Sequence, residues 1–353
     1  MYLGFKAFQT YQLASADEIM KKKIRLSVLD QSPLRPDTTA TSALRETIEL
    51  AKIAEELGYH RYWLAEHHGS DGLASASPEV LITRIASETN TIRVGSGGVM
   101  LSHYSPYKVA ENFRTLEAMF PGRIDLGIGR APGSDHPTTR ALAYGGGLKA
   151  EHFPTMVSDL HGFLTDSLPK EHPFEAVKVR PYTPSSPPIW LLGSSDYSAA
   201  YAAHFGFSFS FAHFITPYGG EAVTRAYQDQ FQCKGSLEEP KINMGVFVIC
   251  AETDAEADKL MSTRDLFRLR ADRGHLAPIP TIEESLSYPY TDAEREYVLQ
   301  SRAKTIYGAP KTVKKKIGEL SDLYKNDEFL VLTACPDFES RRRSYELLAE
   351  AFA

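Results

Sequence analysis

The sequence predicts an α/β protein, a (β/α)8 barrel of the TIM type with an insertion after its seventh strand. Three observations predict it. Short apolar runs that end in glycine or polar breakers recur eight times, separated by helical patterns. The composition, 42% hydrophobic and 24% charged over 353 residues, suits one sizeable core, and α/β barrels reach this length as single domains. The residues able to do chemistry fall just after strand ends, where the loops of a parallel barrel share one cleft. An open doubly wound sheet is the alternative.

The elements follow in order. Residues 1–19 lack the basic start and apolar centre of a signal peptide. They read as an N-terminal extension to a domain over 20–353. Residues 24–29 form a first strand, ended by Asp30-Gln31-Ser32-Pro33. Leu44, Ile48, Ala51 and Leu57 mark a helical face, with Ser42 as N-cap and Gly58 as stop. Residues 60–65 are the second strand, running into Glu66-His67-His68. Ser77-Pro78 opens a helix with Val80, Leu81, Ile85 and Ala86 inward. Residues 92–101 are the third strand. Glycines there weaken an ordinary strand but let a flat ligand approach the backbone.

Ser105-Pro106 repeats the helix start, and Val109, Ala110, Phe113 and Leu116 give its face. Residues 123–129 are the fourth strand. Gly145-Gly146-Gly147 reads as a flexible loop, and 152–164 as a helix. Strand five, 189–192, leads through Gly193-Ser194-Ser195-Asp196 into an alanine-rich helix. Strand six is 207–211, with a helix over 220–232 behind it. Strand seven is 241–251, and Thr253 caps the next helix. Residues 267–301 are polar and irregular, long for a connection, and read as a functional lid or an insertion. A helix over 311–323, strand eight at 329–333 and a closing helix over 338–351 complete the chain.

Bulk properties exclude some functions. A net charge of -6 argues against nucleic-acid or anionic-membrane binding. Three scattered cysteines make no disulfide framework, so a reducing cytoplasm is the default. No apolar run approaches the roughly 20 residues of a membrane span.

Four strand ends carry candidate chemistry. The second offers Glu66, His67 and His68, whose alternative is a solvated strand end. Adjacent histidines on a strand point to opposite faces and chelate poorly, and no HExxH or CxxC spacing is present, so no metal is expected. The third offers Gly97-Gly98 followed by His103 and Tyr104. The fourth offers Arg130, a fork for a phosphate or a partner for Asp135. The fifth offers Ser194, Ser195 and Ser198 at a helix start, an anion site or simple N-capping.

Trp63-Leu-Ala-Glu-His-His68, Val94-Gly-Ser-Gly-Gly-Val-Met-Leu101, Gly122-Arg-Ile-Asp-Leu-Gly-Ile-Gly-Arg-Ala-Pro-Gly133, the Gly193-Ser-Ser stretch and Ser344-Tyr-Glu-Leu-Leu-Ala-Glu350 occur in this order. With them the chain resembles the bacterial luciferase-like, flavin-dependent monooxygenases, in their non-luminous single-chain form. The resemblance implies a barrel with FMN at its C-terminal mouth. It implies a cis bond at Gly97-Gly98 under the flavin ring, and an FMN phosphate held by Arg130, Ser195 and Ser198 beside Ser194. Glu66 matches a flavin-proximal acid and His67 the catalytic histidine, with His103 and Tyr104 on the substrate side or in structural roles. Tyr104, Phe211 and Phe214 would suit apolar substrates. Reduced FMN, supplied by a separate NAD(P)H-dependent reductase, would react with O₂ to a flavin C4a-peroxide that oxidises a small organic molecule such as an aldehyde. Segment 267–301 matches the family's mobile active-site loop, and members are commonly homodimers. A reactive cysteine of luciferase proper is replaced by Gly129, which lends no support to luminescence. The alternatives are F420-dependent hydride transfer on the same fold and non-catalytic flavin binding.

Overall fold

A computed structural model of the chain describes residues 23–144, 150–234 and 237–353. The extension at 1–19 and the Gly145-Gly146-Gly147 loop lie outside the described residues. Nine parallel strands are present: β1 (Arg25–Asp30), β2 (Arg61–Leu64), β3 (Arg93–Met100), β4 (Ile124–Gly129), β5 (Ile189–Gly193), β6 (Ser208–Ala212), β7 (Ile242–Cys250), β8 (Thr305–Gly308) and β9 (Glu328–Leu332). Each of β1 to β6 pairs with the next, β6 pairs with β7, and β9 bridges β7 to β1. These eight strands close a barrel. The ninth, β8, pairs only with the far half of β7, through Phe247 to Cys250.

Side chains alternate across a strand, and the interior follows that alternation. At the N-terminal end it is ionic. Arg61 reaches Asp125 at 2.7 Å and Glu328 at 2.5 Å, Arg93 reaches Asp125 at 2.6 Å, and Ser27 donates to Glu328. Burial alone would raise the Asp125 carboxyl, but Arg61 and Arg93 outweigh it and hold it below the usual range. Above this layer Leu29, Trp63, Trp190, Leu330 and Leu332 pack together, with the two indoles edge to face at 5.3 Å. The Trp63 indole N–H donates to Asp125 and ties the two layers. The outward residues of the same strands, such as Val28, Tyr62 and Leu64, join the larger core beneath the helices.

The helices are α1 (Ala40–Glu56), α2 (Pro78–Glu88), α3 (Pro106–Met119), α4 (His136–Leu142), α5 (Phe153–Thr165), α6 (Asp196–Phe205), α7 (Gly220–Gln230), α8 (Asp254–Asp272), α9 (Ile282–Ser287), α10 (Asp292–Arg302), α11 (Pro310–Tyr324) and α12 (Phe338–Phe352). Three local expectations change. Thr39, not Ser42, caps α1; Ser42 is its reciprocal partner three residues on. The buried face of α2 is Pro78, Ile82, Ile85 and Ala86, which leaves Val80 65% exposed. Segment 267–301 is not irregular. It holds the end of α8, the whole of α9 and all but the last residue of α10, each of the latter two capped by a threonine three residues before a glutamate. Between them, Ile279 donates its backbone N–H to Leu34, which anchors the segment over the loop after β1. Among the described residues no helix is long and apolar enough to cross a membrane.

Candidate active site

A cleft of 500 Å³ opens at the C-terminal ends of the strands. Its floor is the top of the barrel interior, Leu29 and Ala65, and its walls come from the end of β3 and from the segments after β1, β2, β4, β5 and β6. A larger cavity of 730 Å³ lies at the opposite mouth, around Arg25, Arg61 and Arg93. In parallel barrels that end serves stability, and its arginines are already spent on Asp327, Glu328 and Asp125.

The strand register explains how Glu66-His67-His68 divides. Arg61, Trp63 and Ala65 face inward, so the next inward position is His67, and it lines the cleft. Its Nδ1 is buried and has no hydrogen-bond partner. Burial pushes the imidazole down to about 4, helped by His68 and opposed by Glu66. At neutral pH His67 is therefore uncharged, and its ring lines the cleft while its Nδ1 is buried without a partner.

Glu66 and His68 occupy the other face. Glu66 is buried, and its Oε1 accepts from Tyr104 Oη at 2.7 Å and contacts His68 Nε2 at 2.7 Å. Its Oε2 accepts the Met100 N–H at 3.1 Å. Burial, with Glu66 beside it, raises the Tyr104 phenol well above its ordinary value. Glu66 thus fastens the end of β3 to the end of β2, and it is not among the residues that line the cleft.

The same geometry gives His103 and Tyr104 the structural contacts of their alternative reading. His103 and Tyr104 do not line the cleft. A short 3-10 turn, Leu101–His103, carries the chain sideways after β3. His103 Nε2 then sits 2.7 Å from the Pro132 carbonyl, and Tyr104 points to Glu66. Phe211 is fully buried against Tyr324, whereas Phe214 does line the cleft. No residue of 267–301 lines it.

Gly97 and Gly98 lie on one wall, and their peptide bond is cis. The register of β3 against β4 shifts between Ser96 and Val99, around this pair. A Cβ at Gly97 would stand 2.6 Å from Leu29 Cδ1, and one at Gly98 would stand 2.6 Å from the Gly127 carbonyl oxygen. Packing against backbone therefore demands glycine at Gly98, whereas at Gly97 the nearest atom is the movable end of Leu29.

Arg130, Ser194, Ser195 and Ser198 line the far end of the cleft. Ser195 caps α6, and Ser198 Oγ donates back to the Ser195 carbonyl at 2.7 Å. A Cβ at Gly193 would collide with the Ser198 hydroxyl, so this glycine lets the hydroxyl sit against the turn. The capping reading is thus present in the structure, with both serines also lining the cleft. Arg130 is exposed, and it makes no ion pair among the described residues. Asp135 is occupied as the cap of α4. Together these residues bring a guanidinium, a helix N-terminus and two hydroxyls to one end of the cleft, a chemistry suited to an anion. Among the described residues no cluster of three or more His, Cys, Asp or Glu could hold a metal.

Sequence reasoning missed Gln31, Met100, Phe153 and Tyr201, which also line the cleft. The signal for Gln31 was available, since it continues the inward series Ser27, Leu29 on β1. Phe153 and Tyr201 come from helices packed over the mouth, a tertiary arrangement that strand spacing does not encode.

Comparison with known proteins gives a consistent family. The family model described as luciferase-like monooxygenase matches residues 24–325. The chain is 44% identical to the uncharacterized protein YceB of Bacillus subtilis over 93% of its own length and 99% of that protein. It is 38% identical to an N-acetyl-S-alkylcysteine monooxygenase of the same organism, covering 93% of this chain and 98% of the relative. Among solved structures, apo-MsnO8 superposes with a TM-score of 0.86 at 39% identity, covering 93% of this chain and 98% of that one. More distant structures share the fold alone. They include the oxygenating constituent of 3,6-diketocamphane monooxygenase in complex with FMN, at TM-score 0.68 and 18% identity, and an F420-dependent secondary alcohol dehydrogenase, at 0.67 and 13%.

Proposed function

The chain belongs to the luciferase-like monooxygenase family, and on that premise we propose that it is an FMN-dependent monooxygenase of a small organic substrate. One observation carries the choice of cofactor. A single cleft has an unpaired arginine and a serine-rich helix N-terminus at one end, and an uncharged histidine in its lining. A flavin mononucleotide needs those two ends, an anion grip for its phosphate and a polar contact at its ring. The residues present fit the group.

Arg130, Ser195 and Ser198 would hold the phosphate. Gly97, Gly98 and the apolar floor would bear the ring, and Ser194 would add a polar contact beside the phosphate. When bound in reduced form, FMN supplies the activation of O₂ and the transfer of one oxygen atom. The chain's own part is to bind, orient and shelter. Leu29, Ala65, Phe153, Leu191 and Phe214 exclude water from the ring side of the cleft. His67, neutral at pH 7, accepts a proton from the substrate or returns one to it at its imidazole. Glu66 acts at one remove, by fixing the β3 end through the Met100 N–H. Reduced FMN comes from a separate NAD(P)H-dependent reductase, and the substrate side is apolar with Gln31 as its polar mark.

The test is turnover of reduced FMN and ¹⁸O₂ with a panel of small thioethers and aldehydes. Incorporation of one ¹⁸O into a product, lost in His67→Ala while FMN still binds, supports the reading. Stoichiometric hydrogen peroxide with no labelled product from any member refutes the monooxygenase assignment on that panel. Hydride transfer from reduced F420 without O₂ uptake would establish the other chemistry known on this fold.

A further inference from the structure

Met100 ends β3 and lines the cleft. Its backbone is fixed by the N–H bond to Glu66. Its side chain lies against the two glycines that flank Arg130-Ala131-Pro132. The sulfur is 3.7 Å from where a Cβ on Gly129 would stand, and Cε is 3.0 Å from the equivalent point on Gly133. A side chain at Gly133 would press on it, and glycine there leaves it room. Met100 is half-buried, whereas Met156, Met244 and Met261 are buried in the core. One other described methionine is accessible: Met119, 47% exposed at the C-terminal end of α3, away from the cleft.

We propose that Met100 is a self-oxidation site, modified to the sulfoxide by peroxide formed inside the cleft when no substrate is present. The inference rests on the flavin reading above. Reduced flavin and O₂ give hydrogen peroxide by two-electron transfer. In the cleft the peroxide O–O bond breaks, one oxygen bonds to the Met100 sulfur, and the other leaves as water. The sulfur is oxidised by two electrons and the peroxide is reduced by two. No further reactant is needed. The thioether becomes a polar sulfoxide on a wall otherwise built of glycine and apolar side chains, beside the arginine that would grip the phosphate. Idle turnover thereby marks the enzyme at the cofactor's own wall.

The two accessible methionines make the test internal. Full-length protein is mixed with one equivalent of reduced FMN and air-saturated buffer containing catalase, over repeated cycles, without substrate. Peptide mass spectrometry follows the +16 Da product at Met100 and Met119. A parallel sample receives bulk hydrogen peroxide and no flavin. The expected result is at least fivefold more sulfoxide at Met100 than at Met119 in the flavin sample, and the reverse order in bulk peroxide, where exposure decides. Met100→Leu should remove the first product and leave sulfoxide formation at Met119 as it was. Protein-bound flavin that reoxidises with Met100 unmodified, or modified no faster than Met119, overturns the inference and leaves the monooxygenase reading intact. Met100 leading in bulk peroxide as well overturns it too, because the preference would not come from the flavin. Failure of FMN to bind overturns both.

Discussion

His67 is held neutral inside the fold, and the consequence for stability can be worked out. Its ordinary value of 6.5 falls to about 4 in the folded protein because burial disfavours the imidazolium. The unfolded chain therefore takes up a proton at this position near pH 6.5, while the folded chain resists until about pH 4. Between those values the unfolded state binds more protons, so stability rises with pH and is lost as pH falls. At pH 5 the single group costs about 2 kcal/mol relative to pH 7, approaching about 3 kcal/mol near pH 4. His67→Gln keeps a polar side chain without the titration. Urea unfolding of the flavin-free protein at pH 7 and pH 5 measures the difference. The substitution should reduce the pH 7 to pH 5 loss by about 2 kcal/mol. His213, also pushed down to about 4 by burial, remains in both proteins and sets a common background. Equal losses in wild type and His67→Gln would show that His67 is solvated, and would remove the physical basis for a neutral histidine over the cleft.

Arg130→Ala should weaken FMN binding about tenfold, since one charge-assisted bond at an exposed site contributes roughly 1.5 kcal/mol; riboflavin affinity and melting temperature should not move, because the guanidinium has no protein partner to lose. Gly98→Ala should cost more stability than Gly97→Ala, in the range of about 1–3 kcal/mol or above, because its new Cβ meets Gly127 backbone whereas that of Gly97 meets the movable end of Leu29; equal chemical-denaturation midpoints would contradict the packing argument. Arg341→Met should destabilise by about 3–5 kcal/mol, because it strands the fully buried Asp30 that Arg341 contacts at 2.6 Å; calorimetry or denaturant unfolding would show it, and a neutral result would mean Asp30 is satisfied by Tyr62 and Ser32 alone.

The barrel was legible because its strands are short apolar runs with breakers, and each of the eight expected strands lies within a residue or two of its place in the structure. The cleft was legible wherever a site residue follows directly from a strand end, as for His67, Gly97, Gly98, Arg130 and Ser195. It was less so one step further from the strand. Glu66, His103 and Tyr104 sit near the same strand ends in sequence, yet alternation and the 3-10 turn carry them behind the wall. The insertion was misread for a different reason. The helix Asp254–Asp272 buries every residue from Leu260 to Leu266, Arg264 and Asp265 included, so no apolar stripe marks it. Sequence did hold the clue for its continuation, in Thr281 and Glu284 and again in Thr291 and Glu294, both of which form caps. The strand Thr305–Gly308 escaped because four residues, one of them glycine, carry little pattern.

The most direct measurement is a titration of the purified chain with FMN, riboflavin and F420 side by side, each in its oxidised and reduced form, followed by flavin fluorescence or absorbance. The account predicts saturation at one reduced FMN per chain, with riboflavin at least tenfold weaker for want of the phosphate that Arg130 and the start of α6 would grip. Preference for F420, or equal affinity for FMN and riboflavin, would contradict it.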